Sequence, residues 1–234
     1  MAAILSKAQA KAAAAELDRR SFYVLEKLLS PAACVEIASL WKNPGLFRKK
    51  VVMAAHGFGA GEYGYFAEPL PAPVQALREG LFPPLAALAN QWAERLGRKE
   101  RFPDRLEAWL DLCHRGGQLR PTPLLLRYGP GDYNRLHRDL YGPLVFPLQA
   151  TILLSEPGLD FSGGEFLLAE QEPRAQTRVM VVPLARGDAV VFSSFERPVP
   201  SARRGWRRVA MRHGVSDIRV GERTTLGIIF HDAA

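Results

Sequence analysis

The sequence predicts an α+β protein. Its second half is expected to be a double-stranded β-helix, a jelly roll of two facing sheets, with N-terminal helices packed on the outside of one sheet. Three observations predict this. Residues 1–120 are mainly helical in pattern, residues 121–234 break into eight short apolar runs cut by Gly, Pro and acidic turns, and helix-period patterning fades after Pro123. A chain of 234 residues buries one substantial core, so a single domain over 1–234 is expected.

Each element has a local reason. Residues 3–17 are mostly alanine, with Lys7 and Lys11 one helical turn apart, and predict a helix. Phe22 to Leu29 begins as a short strand. Ser30 and Pro31 then open a helix to about Trp41, serine as N-cap and proline in the first turn, and Asn43-Pro44-Gly45 ends it. Residues 48–67 are rich in glycine and aromatics and read as a hairpin or a mobile loop, with His56, Tyr63 and Tyr65 as candidates to line a cleft. Pro71 to Gly97 has the helical period, and Pro83-Pro84 predict a break into two helices. Trp92 is expected in the core. A further helix is expected over 104–114, with Trp109, Leu110 and Cys113 inward and His114 complementing the dipole at its C-terminal end. Strands are expected at 124–128, 135–140, 147–154, 164–169, 177–183, 189–193, 208–215 and 224–231, with Gly163-Gly164-Glu165 and Gly187-Asp188 as hairpin turns.

Composition narrows the class. An apolar share of 47% fits a soluble globular chain, and no apolar run is long enough to span a bilayer. The Ala- and Lys-bearing N-terminus reads as a helix and not as a secretory signal. Two distant cysteines, Cys34 and Cys113, predict no disulfide framework and a reducing, cytoplasmic location. The net charge is +7, and between Arg197 and Arg223 eight arginines face two acids. Such a cluster is what a phosphate-neutralising surface requires, and it equally fits a merely soluble face.

The chemistry centres on the run from Leu124 to Asp139, LLLRYGPGDYNRLHRD. Strand side chains two residues apart share a face, so His137 and Asp139 are expected to project together. One imidazole and one carboxylate are two thirds of the 2-His-1-carboxylate triad that leaves open positions on Fe(II). His213 is the preferred third ligand; its competitor His231 has no arginine downstream. Arg223, ten residues after His213, can grip a keto acid's far carboxylate by a bidentate charge-assisted pair. Thr225 shares its strand face, and Tyr128 is placed to offer its phenol from the other side.

These residues resemble the Fe(II)/2-oxoglutarate-dependent oxygenases. The turn Arg127-Tyr128-Gly129-Pro130-Gly131, with Tyr128 nine residues before His137, looks most like the AlkB-type nucleic-acid dealkylases, with the prolyl-hydroxylase-like group close behind. HRDLYGPLVFPLQ, the SGGEF turn and TLGIIFHDA resemble a bacterial branch labelled as acting on damaged nucleic acid. The similarity spans about residues 45–234. It implies Fe(II) held by His137, Asp139 and His213, 2-oxoglutarate and O2 as cosubstrates, oxidative demethylation of alkylated DNA or RNA bases, and a part in DNA repair. Two positions depart from the AlkB pattern: Leu126 stands in place of an Asn and Ile229 in place of a second Arg. Both bear on the pocket that shapes cosubstrate and substrate, not on the reaction class. Two other readings stay open: a hydroxylase of a protein side chain or small molecule with the same cofactors, and a non-redox cupin-like metal-binding protein, which gives Arg223 no task.

Overall fold

The computed structural model describes residues 5–201 and 204–234. Residues 3 and 4 of the expected first helix, and Arg203 of the arginine cluster, lie outside the described residues. Helix α1 (Lys7–Arg20) opens on a capping box in which the Ser6 hydroxyl accepts from Gln9 N while the Gln9 side chain accepts from Ser6 N. Strand β1 (Phe22–Leu25) follows, then α2 (Pro31–Ser39), capped by Ser30 as expected. Strands β2 (Phe47–Val52) and β4 (Glu62–Phe66) pair antiparallel, so the Gly/aromatic stretch is a hairpin, with the short strand β3 (Gly59–Ala60) in its tip.

The expected break at Pro83-Pro84 does not occur. Helix α3 (Ala72–Arg95) runs through both prolines. Pro83 is exposed and Pro84 only half-buried, so both rings sit toward the outer side of the helix. The opposite side buries Leu81, Phe82, Leu85 and Ala86, and that packing outweighs a local propensity penalty of about 3 kcal/mol per proline. Helix α4 (Leu106–Arg115) buries Trp109 and Cys113. Both cysteines are free and buried. Among the described residues no helix is long and apolar enough to cross a membrane.

The remaining strands are β5 (Leu124–Tyr128), β6 (Tyr133–His137), β7 (Leu148–Leu153), β8 (Phe161–Gly163), β9 (Phe166–Gln171), β10 (Arg178–Val182), β11 (Ala189–Ser193), β12 (Glu196–Pro200), β13 (Trp206–Val215), β14 (Ile218–Gly221) and β15 (Arg223–Ile229). The eight expected strands are present, and three more were missed. β12 contains Pro198 and Pro200, which argue against a strand; it pairs only with β13, where a missing N–H on the outer side breaks no ladder bond. β8 and β14 are short and pair only with each other.

Two sheets face each other, as the jelly roll requires. The major sheet has the order β1-β11-β7-β15-β5-β4-β2 and the minor one β10-β9-β13-β6-β3, with β12 beside β13. Alternation along the major sheet divides its residues between two environments. Leu125, Ile152, Val191, Leu226 and Ile228 share the core cluster with the helices. Phe22, Val190 and Phe192 pack with Phe166, Leu168 and Met211 of the minor sheet. A buried Arg78–Asp232 pair at 2.7 Å ties α3 to the C-terminal end, and His114 approaches the other Asp232 oxygen at 2.9 Å. His114 thus acts through this carboxylate as well as sitting at its helix end.

Candidate metal centre

The site lies between the two sheets. β15 enters it with Arg223, Thr225 and Gly227, while Leu226 and Ile228 turn to the helices. Register Arg223↔Tyr128 and Thr225↔Leu126 brings β5 alongside. His213 on β13 is paired with His137 on β6. Those two rings stand with centroids 4.2 Å apart. Asp139 completes the group: its Oδ2 lies 3.3 Å from His213 Nε2 and its Oδ1 3.6 Å from His137 Nε2. Ligand atoms of His137, Asp139 and His213 all fall within 4.8 Å of one another.

The strand expected over 135–140 is displaced to Tyr133–His137, because the turn before it is tight, with Gly129 N donating to the Asp132 carboxylate. Asp139 therefore stands beyond the strand end, not two positions along it. β6 also carries an extra residue between its pairings Asn134↔Val215 and His137↔His213. This bulge lets both Asn134 and His137 face the cavity.

Protonation suits a cation. A backbone carbonyl only accepts, so the 2.7 Å contact between His137 Nδ1 and the Arg135 oxygen places a proton on Nδ1 and makes Nε2 the nitrogen that faces the site. Burial, and then the charge of His137, lowers the His213 pKa, so its imidazole is neutral. Burial by itself would raise Asp139; the hydrogen bond from His213, and the charge the two histidines carry once acid protonates them, outweigh it and hold the carboxyl below the usual range. Two neutral imidazoles and a carboxylate can hold a divalent metal on one side and leave the opposite side open.

Arg223 is 1% exposed, yet its Nε and Nη1 have no partner. Burial pulls its pKa down to about 10, which still leaves it charged at neutral pH. Its guanidinium lies 5.7 Å from the Tyr128 ring centre. Tyr128 is held protonated by burial, with its pKa pushed up to about 12, and accepts a hydrogen bond from Asn134 Nδ2 at 3.2 Å. Buried polar atoms without partners are rare, and a cationic pair of them marks a place for an anion.

Four residues escaped sequence reasoning. Tyr141 donates to Asp139 Oδ1 at 2.6 Å and receives from Tyr65 at 2.9 Å; the spacing Asp139–Tyr141 was the one available signal. Gln149 approaches both ring nitrogens of His213 at 3.4–3.5 Å. Asn134 was hidden by the bulge. Gly164, read as hairpin chemistry alone, has φ +62, and a Cβ there would stand 2.8 Å from Arg223 Cδ and 2.3 Å from Ile218 Cδ1. Gly164→Ala is therefore expected to displace the arginine and raise the half-saturating concentration of its anion about tenfold, checked by titration with 2-oxoglutarate. Of the cleft candidates, Tyr65 reaches Asp139 through Tyr141, Tyr63 packs on Tyr65, and His56 is exposed at the hairpin tip. His231 is a buried core histidine, its pKa pushed down to about 4 by burial, whose Nδ1 accepts from Phe146 N.

Among the described residues the arginine cluster does not form one face. Arg223 is in the site, Arg197 is buried against Glu170, and Arg207 and Arg219 pair with Glu172 and Glu165. Backbone alternation and local acids disperse what looked contiguous.

A family model described as "Oxygenase, catalysing oxidative methylation of damaged DNA" matches residues 61–233. The chain belongs to this oxygenase family. It is 50% identical over 169 residues, 72% of this chain and 72% of theirs, to two proteins of Mycobacterium tuberculosis, uncharacterized protein Rv2227 of strain H37Rv and uncharacterized protein MT2286 of strain CDC 1551. The oxygenase shares its fold with a 2OG-Fe(II) oxygenase family oxidoreductase from Burkholderia pseudomallei (TM-score 0.56, 17% identity, 98% of this chain and 95% of that one). It also shares it with a prolyl-4-hydroxylase from Pseudomonas putida (TM-score 0.54, 14% identity, 96% and 100%). Family, fold and the His-Asp-His cluster make it a 2-oxoglutarate-dependent dioxygenase that uses Fe(II), 2-oxoglutarate and O2.

Proposed function

We propose that this oxygenase oxidatively demethylates alkylated bases of DNA or RNA. His137, Asp139 and His213 hold the iron, and Tyr128, Arg223 and Thr225 bind the cosubstrate. One observation carries the chemistry: a buried, unpartnered guanidinium stands in the same cavity as the His-Asp-His cluster. A non-redox metal-binding jelly roll has no use for it. A dicarboxylic cosubstrate gives it a bidentate partner at one end while the other end meets the metal. The family description supports damaged nucleic acid as the substrate class.

When bound, Fe(II), 2-oxoglutarate and O2 together supply the oxidant that converts a C–H bond into C–OH, with succinate and CO2 as coproducts. The chain's own residues bind and orient. Asp139 is already ionised and both imidazoles can offer a lone pair, so loading the ion displaces no proton from the carboxylate. Tyr141 fixes the carboxylate's rotation from behind, and Gln149 steadies the His213 ring. Arg223 and the Thr225 hydroxyl, on one strand, would hold the far carboxylate of 2-oxoglutarate, and Tyr128 on the next strand would offer its phenol. Asn134 brings to the Tyr128 hydroxyl an amide that the Leu126 position lacks. Phe166, Leu126 and Ile229 form the apolar walls that keep water from the reacting carbon. A hydroxylated N-methyl group then leaves as formaldehyde and restores the base N–H.

Succinate and formaldehyde release by anaerobically purified protein tests this, with Fe(II), 2-oxoglutarate and O2 supplied and methylated single-stranded DNA present or absent. Both products are expected to rise with the DNA. Succinate that ignores DNA and rises with a peptide or small molecule moves the function to a hydroxylase. Absence of both metal and cosubstrate binding overturns the site.

A further inference from the structure

We infer that the outer face of the minor sheet at β6 and β13, with the aromatic tip of the β2–β4 hairpin, is a binding surface for single-stranded nucleic acid. In it Arg138 and Arg212 grip a backbone phosphate, and Phe58 stacked on His56 receives an unpaired base. This deepens the proposed function and rests on its substrate class.

The arginines come first. Arg138 follows His137 just past the end of β6, and Arg212 precedes its partner His213 on β13, so the two exposed arginines are neighbours on chain that turns its alternate side chains to the metal centre. Like charges brought close together on a sheet destabilise it. Arg138 is held in place by its own Nε, which donates to the Met211 carbonyl at 3.0 Å, and it feels the charge of Arg212. Among the described residues neither guanidinium has a carboxylate partner, whereas Arg197, Arg207 and Arg219 of the same region each have one. Arg135, exposed on the same strand, also lacks one; its Nη2 reaches only the Tyr133 hydroxyl. One anchored fork and its neighbour, neither neutralised by a carboxylate among the described residues, suit the oxygens of one phosphate.

The aromatic tip is the second, separate observation. Phe58 is 50% exposed, and its ring stacks on His56 with centroids 5.4 Å apart and planes 24° from parallel. An exposed ring on a loose loop would carry little meaning, but this one is anchored. The Phe58 carbonyl accepts from Arg135 N at 2.9 Å, and Gly59 pairs with Asn134 on the strand that ends in His137. Gly59 sits at φ +141, and a Cβ there would stand 2.3 Å from the Tyr133 carbonyl oxygen, so the tip lies closer to β6 than any other residue type allows. The exposed ring is thus tied to the strand that supplies a metal ligand, next to Arg135. An aromatic platform next to cationic forks is the arrangement that holds unpaired bases and their backbone, and duplex bases are not free to use it. The phosphate held at Arg138 and Arg212 belongs to nucleotides that flank the one in the site.

Fluorescence anisotropy with a labelled single-stranded oligonucleotide, read across salt concentrations, tests this on the full-length protein. Phe58→Ala is expected to weaken binding about tenfold with the salt slope unchanged. Arg138→Gln combined with Arg212→Gln is expected to weaken it at least about tenfold and to reduce the slope of log affinity against log salt by about 0.7, since the pair neutralises one phosphate of a single strand. Thermal melting of the same variants separates binding from folding, and relief of the like-charge pair predicts no loss of melting temperature in Arg212→Gln. If wild type binds the oligonucleotide and all three substitutions leave affinity and slope unchanged, this surface is wrong while the demethylase reading stands. If wild type binds no nucleic acid, yet makes succinate with another substrate, both fall.

Discussion

Asp139→Ala is expected to abolish substrate-dependent succinate release, by at least about a thousandfold, and to weaken divalent-metal binding by more than a hundredfold. Loss of a mere supporting partner of a metal ligand costs roughly ten- to a hundredfold in affinity, and loss of an anionic ligand costs more. The carboxylate is the one anionic donor among the three, and both histidines approach it within 3.6 Å. Without it two facing imidazoles remain, 4.2 Å between ring centroids, with nothing to offset the ion's charge. The fold should persist, because Asp139 stands beyond the end of β6 and, among the described residues, its side chain pairs only with the site histidines and Tyr141. Anaerobic titration with Mn(II), alongside thermal melting, separates the effects. Unchanged metal affinity in a folded variant sinks the assignment of Asp139 as a ligand.

Arg223→Gln is expected to raise the half-saturating 2-oxoglutarate concentration by about a hundredfold or more, leaving metal affinity within a few-fold of wild type. Hydrogen bonds to a charged group contribute roughly 1.5–3 kcal/mol each, and a bidentate pair loses two. The sign of the stability change is the sharper test. A buried arginine that serves structure is paired, as Arg78 is with Asp232, and removing one partner of such a pair costs about 3–5 kcal/mol. Arg223 has two unpartnered nitrogens, so deleting its charge should leave the cosubstrate-free protein as stable or more stable. Adding 2-oxoglutarate and metal should then stabilise the wild type and not the variant. Denaturant melts with and without cosubstrate read this directly. A variant strongly destabilised before any cosubstrate is added would show that Arg223 serves the fold.

Most of the site was legible because strands carry a period of two. Arg223 and Thr225 were expected on one face of β15, and they are. The Tyr128 turn and the separation of His137 from His213 were likewise readable, since a β-ladder converts distant stretches into register neighbours. The same rule failed at β6. A bulge there shifts parity by one, so Asn134 faces the cavity unannounced, and Asp139 arrives by a turn of chain, not by strand alternation. The helix through Pro83-Pro84 failed for a different reason: propensity is local, while the burial of Phe82 and Leu85 that overrides it depends on what packs opposite.

The sequence by itself predicted the class of fold and singled out His137, Asp139, His213 and Arg223, which line one cavity. Those follow from residue chemistry and short-range periodicity, which need no knowledge of distant partners. Only the tertiary structure decided that Gly164 makes room for Arg223, that Tyr65 and Tyr141 back Asp139, and that the seven described arginines of the cluster scatter into ion pairs, the site and solvent. Each of these is a through-space relation between strands far apart in the chain. Charge and side-chain space act by distance, and distance is set only when the two sheets close on each other.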